Sequence, residues 1–147
     1  MIKEFVAAWD QNKTKLEQYI RTHKQIEYNT YETLVEMLLN IVINPYFDEK
    51  LGMMTWDSTK ITTVDDGDYQ GTQLFIIPKD TYQPSASDYI WTYQYYGSCS
   101  GCDALMAISE YDDGLPTEEQ VKEYMTLELH LLQRLKYMIS TQEEYGD

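Results

Sequence analysis

From Ile2 to about His23 the apolar residues Ile2, Phe5, Val6, Trp9, Leu16, Tyr19 and Ile20 recur at three-, four- and seven-residue spacings, with Lys13, Lys15 and Glu17 between them. That period predicts a long amphipathic helix with one buried face. After a polar link, Asn29 or Thr30 can cap a second helix. Its Leu34, Val35, Leu38, Leu39, Ile41 and Val42 cover more of its circumference, so it is expected to be the more deeply buried of the two. Asn44-Pro45 is expected to end it, because a residue before proline avoids helical geometry. The two helices read as an antiparallel hairpin.

Residues 46–58 are apolar without a clear period and read as a packed connection containing at most a short strand. The pattern then changes to alternation. Lys60–Val64 is rich in β-branched residues, Asp66-Gly67 signals a turn, and Thr72–Ile77 reads as a second strand stopped by Pro78. Asp80–Asp88 has loop composition, and Tyr89–Tyr96 gives a third strand. Its period of two places Tyr89, Trp91, Tyr93 and Tyr95 on one face and Ile90, Thr92, Gln94 and Tyr96 on the other.

A glycine-punctuated loop with Cys99 and Cys102 leads into a short helix, Ala104–Ile108, closed by the segment 112–116. Thr117 and Gln120 form a capping box that opens a last helix through about Ile139, with Val121, Met125, Leu132, Leu135 and Ile139 on its core stripe. The order is αα-βββ-αα. This predicts an α+β domain over residues 1–140, a small antiparallel sheet of about three strands packed by helices, followed by an acidic tail, residues 141–147.

Composition narrows the function. With 147 residues, 43% of them hydrophobic, the chain can build a real core. No apolar run is long enough to span a membrane and Met1–Val6 lacks the pattern of a signal peptide, which predicts a cytoplasmic protein with no membrane partner. The net charge of -14 argues against direct nucleic-acid binding, since phosphate contacts need basic surface. The charge is also uneven. Residues 61–121 hold one basic side chain, Lys79, against eleven acidic ones, whereas residues 1–60 hold seven against nine.

Candidate chemistry centres on two stretches. Cys99 and Cys102 at a strand-to-helix junction can serve thiol–disulfide exchange, because a helix N-terminus stabilises thiolate, although the adjacent Asp103 opposes it. Together with His23 and His130 they also make up the four ligands of a structural zinc site, and a homo-oligomer, which the sequence leaves open, can pool two cysteine pairs. The plain alternative is that Gly, Ser and Cys simply let the loop turn sharply. Asp65, Asp66 and Asp68 sit at a turn, but their spacing is not that of a calcium loop, and ordinary turn chemistry accounts for them. No catalytic triad and no phosphate-cradling glycine loop can be assembled, so the chain is not expected to be an enzyme and no cofactor beyond zinc is implicated.

Seven of the fourteen tyrosines lie in the same acidic segment, 61–121. Tyrosine buries large area at little entropic cost, which favours it in interfaces. Carboxylates interleaved with such rings complement a basic groove built for DNA or RNA, and the expected contact residues are Asp65, Asp66, Asp68, Tyr69, Asp112 and Asp113. A different use of the rings is a pocket between the aromatic strand face and the helices, holding a nucleotide base on Trp91 or Tyr93.

The strings Asp66-Gly-Asp-Tyr-Gln-Gly-Thr72, Tyr82-Gln-Pro-Ser85 and Tyr96-Gly-Ser-Cys-Ser-Gly-Cys-Asp103 resemble a family of small uncharacterised proteins encoded by bacteriophages and prophages. The resemblance spans roughly residues 60–110 and implies a phage context, hence a bacterial host cell. Within that context the acidic face leads to one expectation, by analogy with anti-CRISPR proteins: an inhibitor that mimics nucleic acid and docks on a basic host protein such as a nuclease. The alternatives are a thiol or zinc protein and a small-nucleotide-binding protein.

Overall fold

In the computed structural model, which describes residues 2–68, 70–98, 101, 103–108 and 114–139, helix α1 (Lys3–Thr22) buries Phe5, Ala8, Trp9, Asn12, Leu16 and Ile20. Thr30 caps α2 (Tyr31–Met37), its hydroxyl accepting the Thr33 N–H. The helix does not stop at Pro45. It widens into a π-helical segment, Leu38–Ile43, and resumes as α3 (Asn44–Leu51) with Pro45 in the first turn. Proline offers no N–H and crowds the carbonyl four residues back. A wide turn removes that conflict: the Asn44 N–H reaches back to Leu39 O, and proline enters at the start of a new register, where its missing donor matters least. Asn12 of α1 fastens this turn by donating from Nδ2 to Val42 O at 2.9 Å. The terminator is Gly52, in the left-handed region at φ 60°.

Residues 46–51, expected as an irregular connection, are therefore helix, and Phe47 is core. Asn44 acts as a clamp instead of a stop signal. Its side chain donates to Trp56 O and accepts the Trp56 N–H, at 2.8 and 2.9 Å, which holds Trp56 in an isolated antiparallel bridge to Lys79. Trp56 then meets Phe5 and Phe47 edge to face at 5.7 and 4.8 Å, and those two rings meet each other at a tilt, 5.6 Å apart.

The fold is α+β. Its antiparallel sheet has the order β1 (Thr62–Asp65), β2 (Gly71–Pro78), β3 (Tyr89–Tyr96), β4 (Lys136–Tyr137). The first three strands fall where the alternation places them. The fourth arises because the last helix, α5 (Glu118–Gln133), is shorter than its sequence period implies. After Leu135 the chain turns extended, and Lys136 and Tyr137 pair with Trp91 and Ile90. An exposed strand edge is a liability, and this pairing covers part of β3's. Ile139 consequently leaves the core and is 43% exposed. Short helix α4 (Ala104–Ile108) and the Thr117–Gln120 capping box match expectation. One face of the sheet packs on the helices: Phe75, Ile77 and Ile90 are fully buried there, and the Thr92 hydroxyl donates to Leu131 O of α5 at 2.8 Å.

Candidate functional site

The β1–β2 turn is built by its own carboxylates. Asp66 Oδ1 accepts the Thr72 N–H at 2.6 Å, and Asp65 Oδ1 accepts the Gly67 N–H at 3.0 Å. The turn closes so tightly that a Cβ on Gly71 would stand 2.6 Å from Asp66 Oδ1, and one on Gly67 2.1 Å from Gln70 O. At Gly67 the obstacle is backbone, so glycine is required there for space alone; at Gly71 it is the Asp66 carboxylate, which would have to shift from its bond to the Thr72 N–H. Asp68 is exposed and makes no hydrogen bond or ion pair among the described residues.

Tyr96, at the end of β3, reaches into this turn. Its hydroxyl donates to Asp65 Oδ1 and lies 2.7 Å from Gly67 O. The bond from Tyr96, with the Gly67 amide, favours the ionised form of Asp65 and lowers its pKa. The same bond, burial and the nearby aspartates raise the Tyr96 hydroxyl to about 12.

The next residue, Gly97, begins the cysteine loop, and Asp103 closes it. Asp103 is buried, with Oδ2 accepting the Gly97 N–H at 3.0 Å. Oδ1 takes the Tyr31 hydroxyl at 2.6 Å and the Leu105 and Met106 amides at 3.0 and 3.2 Å. One carboxylate thus starts α4, ties both ends of the loop and anchors them to α2. Burial, then the bond to Asp103, pushes the Tyr31 pKa upward. A cleft of about 220 Å³ lined by Thr30, Tyr31, Gln73, Tyr96, Asp103 and Leu105 lies between the two loops.

The two stretches that stand out in the sequence are therefore joined through Tyr96 and Gly97. Of the expected contact residues, Asp65, Asp66 and Asp68 form one exposed acidic end of the sheet, while Tyr69, Asp112 and Asp113 lie outside the described residues, as do Cys99 and Cys102. Glu32 of α2 extends the acidic surface alongside β1, accepting the Thr63 hydroxyl, and Glu36 lies one turn further on. Burial and the charge of Glu32 raise the Glu36 pKa. Among the described residues, ion pairs engage only Glu17, Glu118 and Asp57. The turn carboxylates meet no cation among the described residues.

The two histidines do not converge on one ion. His23 stacks on Tyr19 at 3.7 Å, and its Nδ1 lies 2.8 Å from Tyr19 O. Arg21, two residues before it, meets Glu118 at the start of α5 at 2.8 Å. His130 lies twelve residues further along α5, a rise of about 18 Å. Among the described residues no three His, Cys, Asp or Glu side chains form a metal-sized group.

The aromatic face of β3 points away from the helices. Ile90, Thr92 and Gln94 are the buried set, and Tyr95 is 60% exposed. The expected pocket between the rings and the helices is therefore not formed, because the strand's phase turns the rings outward. Nor does the face lack cations: the Arg134 guanidinium lies 5.2 Å from the Tyr93 ring centre, and Lys136 Nζ lies 5.9 Å from that of Trp91.

No family model, curated protein or solved structure matches this chain. Among the described residues no helix is long and apolar enough to cross a membrane. Sequence reasoning missed Tyr31, Asn44 and Tyr96 as anchoring residues. Asp103 carried a readable signal, since it directly precedes a predicted helix at a position where Asp is a favoured cap.

Proposed function

We propose that the protein is a phage-encoded acidic binding protein that inhibits a nucleic-acid-handling defence enzyme of the bacterial host by occupying its basic groove. The observation that carries this reading is the β1–β2 turn, where Asp65 and Asp66 are fixed by backbone amides and Asp68 stands beside them without a counter-ion among the described residues. Fixed anions imitate phosphates better than mobile ones, because no side-chain entropy is lost when they meet a basic surface. The lowered pKa of Asp65 keeps that charge in place under mildly acidic conditions. The phage setting rests on the resemblance of the three sequence strings.

Asp68 gives the cleanest test, since Asp65 and Asp66 also build the turn. The protein is immobilised and used to capture a basic nucleic-acid-handling enzyme from host lysate at low and moderate salt, with the Asp68→Lys variant in parallel. Capture should weaken with salt and with the charge reversal. Capture indifferent to both would end the proposal.

A further inference from the structure

Among the described residues no helix covers the outward side of the sheet. Its positions are Thr62 and Val64 on β1, Thr72, Leu74 and Ile76 on β2, Tyr89, Trp91, Tyr93 and Tyr95 on β3, and Lys136 on β4, as the strand registers fix them. In a chain of net charge -14 not one of these positions is acidic. Trp91 and Tyr93 stack at 5.9 Å, and Tyr93 meets Tyr95 at 5.7 Å, so three rings form a continuous ladder along β3. Arg134 lies over Tyr93 and Tyr95, at 5.2 and 6.0 Å, and Lys136 over Trp91. Neither cation pairs with a carboxylate among the described residues. Arg134 is held in place by Gln94 Oε1 at 2.8 Å and Tyr93 O at 3.3 Å.

We propose that this face binds a short stretch of single-stranded nucleic acid, its bases stacking on Trp91, Tyr93 and Tyr95 and its phosphates meeting Arg134 and Lys136. Flat rings presented in a row accept unpaired bases of any sequence, because every base has a π face. Duplex bases are already stacked and are not available to them. The expectation against nucleic acid rested on net charge, but the fold separates the charges. The acids of the β1–β2 turn lie at one end of the sheet, and the cations lie along its β4 edge. The site does not depend on the acidic turn or on the inhibitor reading.

The test uses the full chain and fluorescently labelled single-stranded RNA and DNA of about 12 nucleotides, followed by anisotropy at low salt. Both strands should bind, and a duplex of the same sequence should not. Tyr95→Ala and Tyr93→Ala, on exposed and half-exposed positions that leave the core intact, should each weaken binding about five- to 150-fold, the equivalent of ~1–3 kcal/mol per stacked base. With only two phosphate-binding cations, the logarithm of affinity should fall with the logarithm of salt at a slope no steeper than about -1.4. Asp68→Lys should leave the ring dependence unchanged. No binding at about 1 mM protein, or binding that survives loss of both tyrosines, overturns the proposal. So does a protein ligand that needs the same rings while oligonucleotides fail to bind, which would make the face a protein interface.

Discussion

Glu128 is fully buried on the core stripe of α5, between Tyr124 and Leu131, and neither of its carboxyl oxygens has a hydrogen-bond partner among the described residues. Burial drives its pKa well above the ordinary carboxylate value. The folded protein therefore holds a proton that the unfolded chain, with a pKa near 4.3, gives up. The sign follows: the folded state binds more protons than the unfolded one between those two values. The ionisation-linked cost of Glu128 is absent below about pH 4.3 and grows as pH rises toward the folded pKa, by at most ~1.4 kcal/mol per pH unit. Even protonated, its oxygens forgo water, at about 1–3 kcal/mol for a buried unsatisfied polar group. Glu128→Met keeps an unbranched side chain of similar length and removes both penalties. It should stabilise the protein at neutral pH by at least about 1–3 kcal/mol, or at least ~3–10 °C in Tm for a domain of this size, with the proton-linked part added to that. Glu128→Gln should remove the proton-linked slope while leaving an orphaned amide, and so gain less. Urea unfolding followed by tryptophan fluorescence at several pH values between 5 and 8 measures all three proteins. A Met variant less stable than wild type, or wild-type and Gln curves with the same pH dependence, would refute the reasoning.

Further outcomes can be read in the same unfolding assay. Gly71→Ala drives a Cβ onto Asp66 Oδ1 and should cost more than about 1 kcal/mol, whereas Gly114→Ala, where a Cβ meets nothing within 4 Å among the described residues, should stay within about 0.5 kcal/mol. Asp103→Ala leaves the Gly97 amide and the Tyr31 hydroxyl without their acceptor and should cost at least about 2 kcal/mol; Tyr31→Phe, losing the bond to Asp103 and one of the two acceptors of the Leu105 N–H, should cost about 1 kcal/mol. Spectrophotometric titration should show one tyrosine ionising near pH 12 that disappears in Tyr96→Phe. Its raised pKa means that the Tyr96–Asp65 bond supports the fold fully below about pH 10 and is lost as pH climbs through 12. Asp65, with a lowered pKa, supports the fold above its ordinary titration range and loses that contribution as the pH falls through its folded value.

The elements governed by a single hydrophobic period were legible. Helix α1, strands β1 to β3, α4 and the Thr117 capping box fall where the pattern of the chain puts them. The departures come where tertiary packing overrides a local rule. Pro45 ends a helix in isolation, but a π turn buried against α1 and fastened by Asn12 carries the chain past it. The period of α5 continues beyond Gln133, yet pairing with β3 gives Lys136 and Tyr137 a better place in the sheet. Glu128 was invisible for a different reason. A charged residue on an apolar stripe reads as a gap in the pattern, and only packing reveals that the stripe runs through it. At the candidate site the acidic turn was readable from Asp and Gly alone, but its union with the cysteine loop depends on Tyr96 and Asp103, whose partners lie up to 72 residues away. The outward phase of the β3 rings could not be chosen from sequence, because both faces of that strand carry aromatic residues.

The most direct test of the inhibitor reading is competition on the captured host enzyme. The enzyme is loaded with its labelled nucleic acid, and this protein is added at rising concentration. The account predicts mutually exclusive binding: the nucleic acid is released and cleavage stops in parallel, with Asp68→Lys needing markedly higher concentrations for both. A stable ternary complex in which enzyme, nucleic acid and wild-type protein coexist would contradict it.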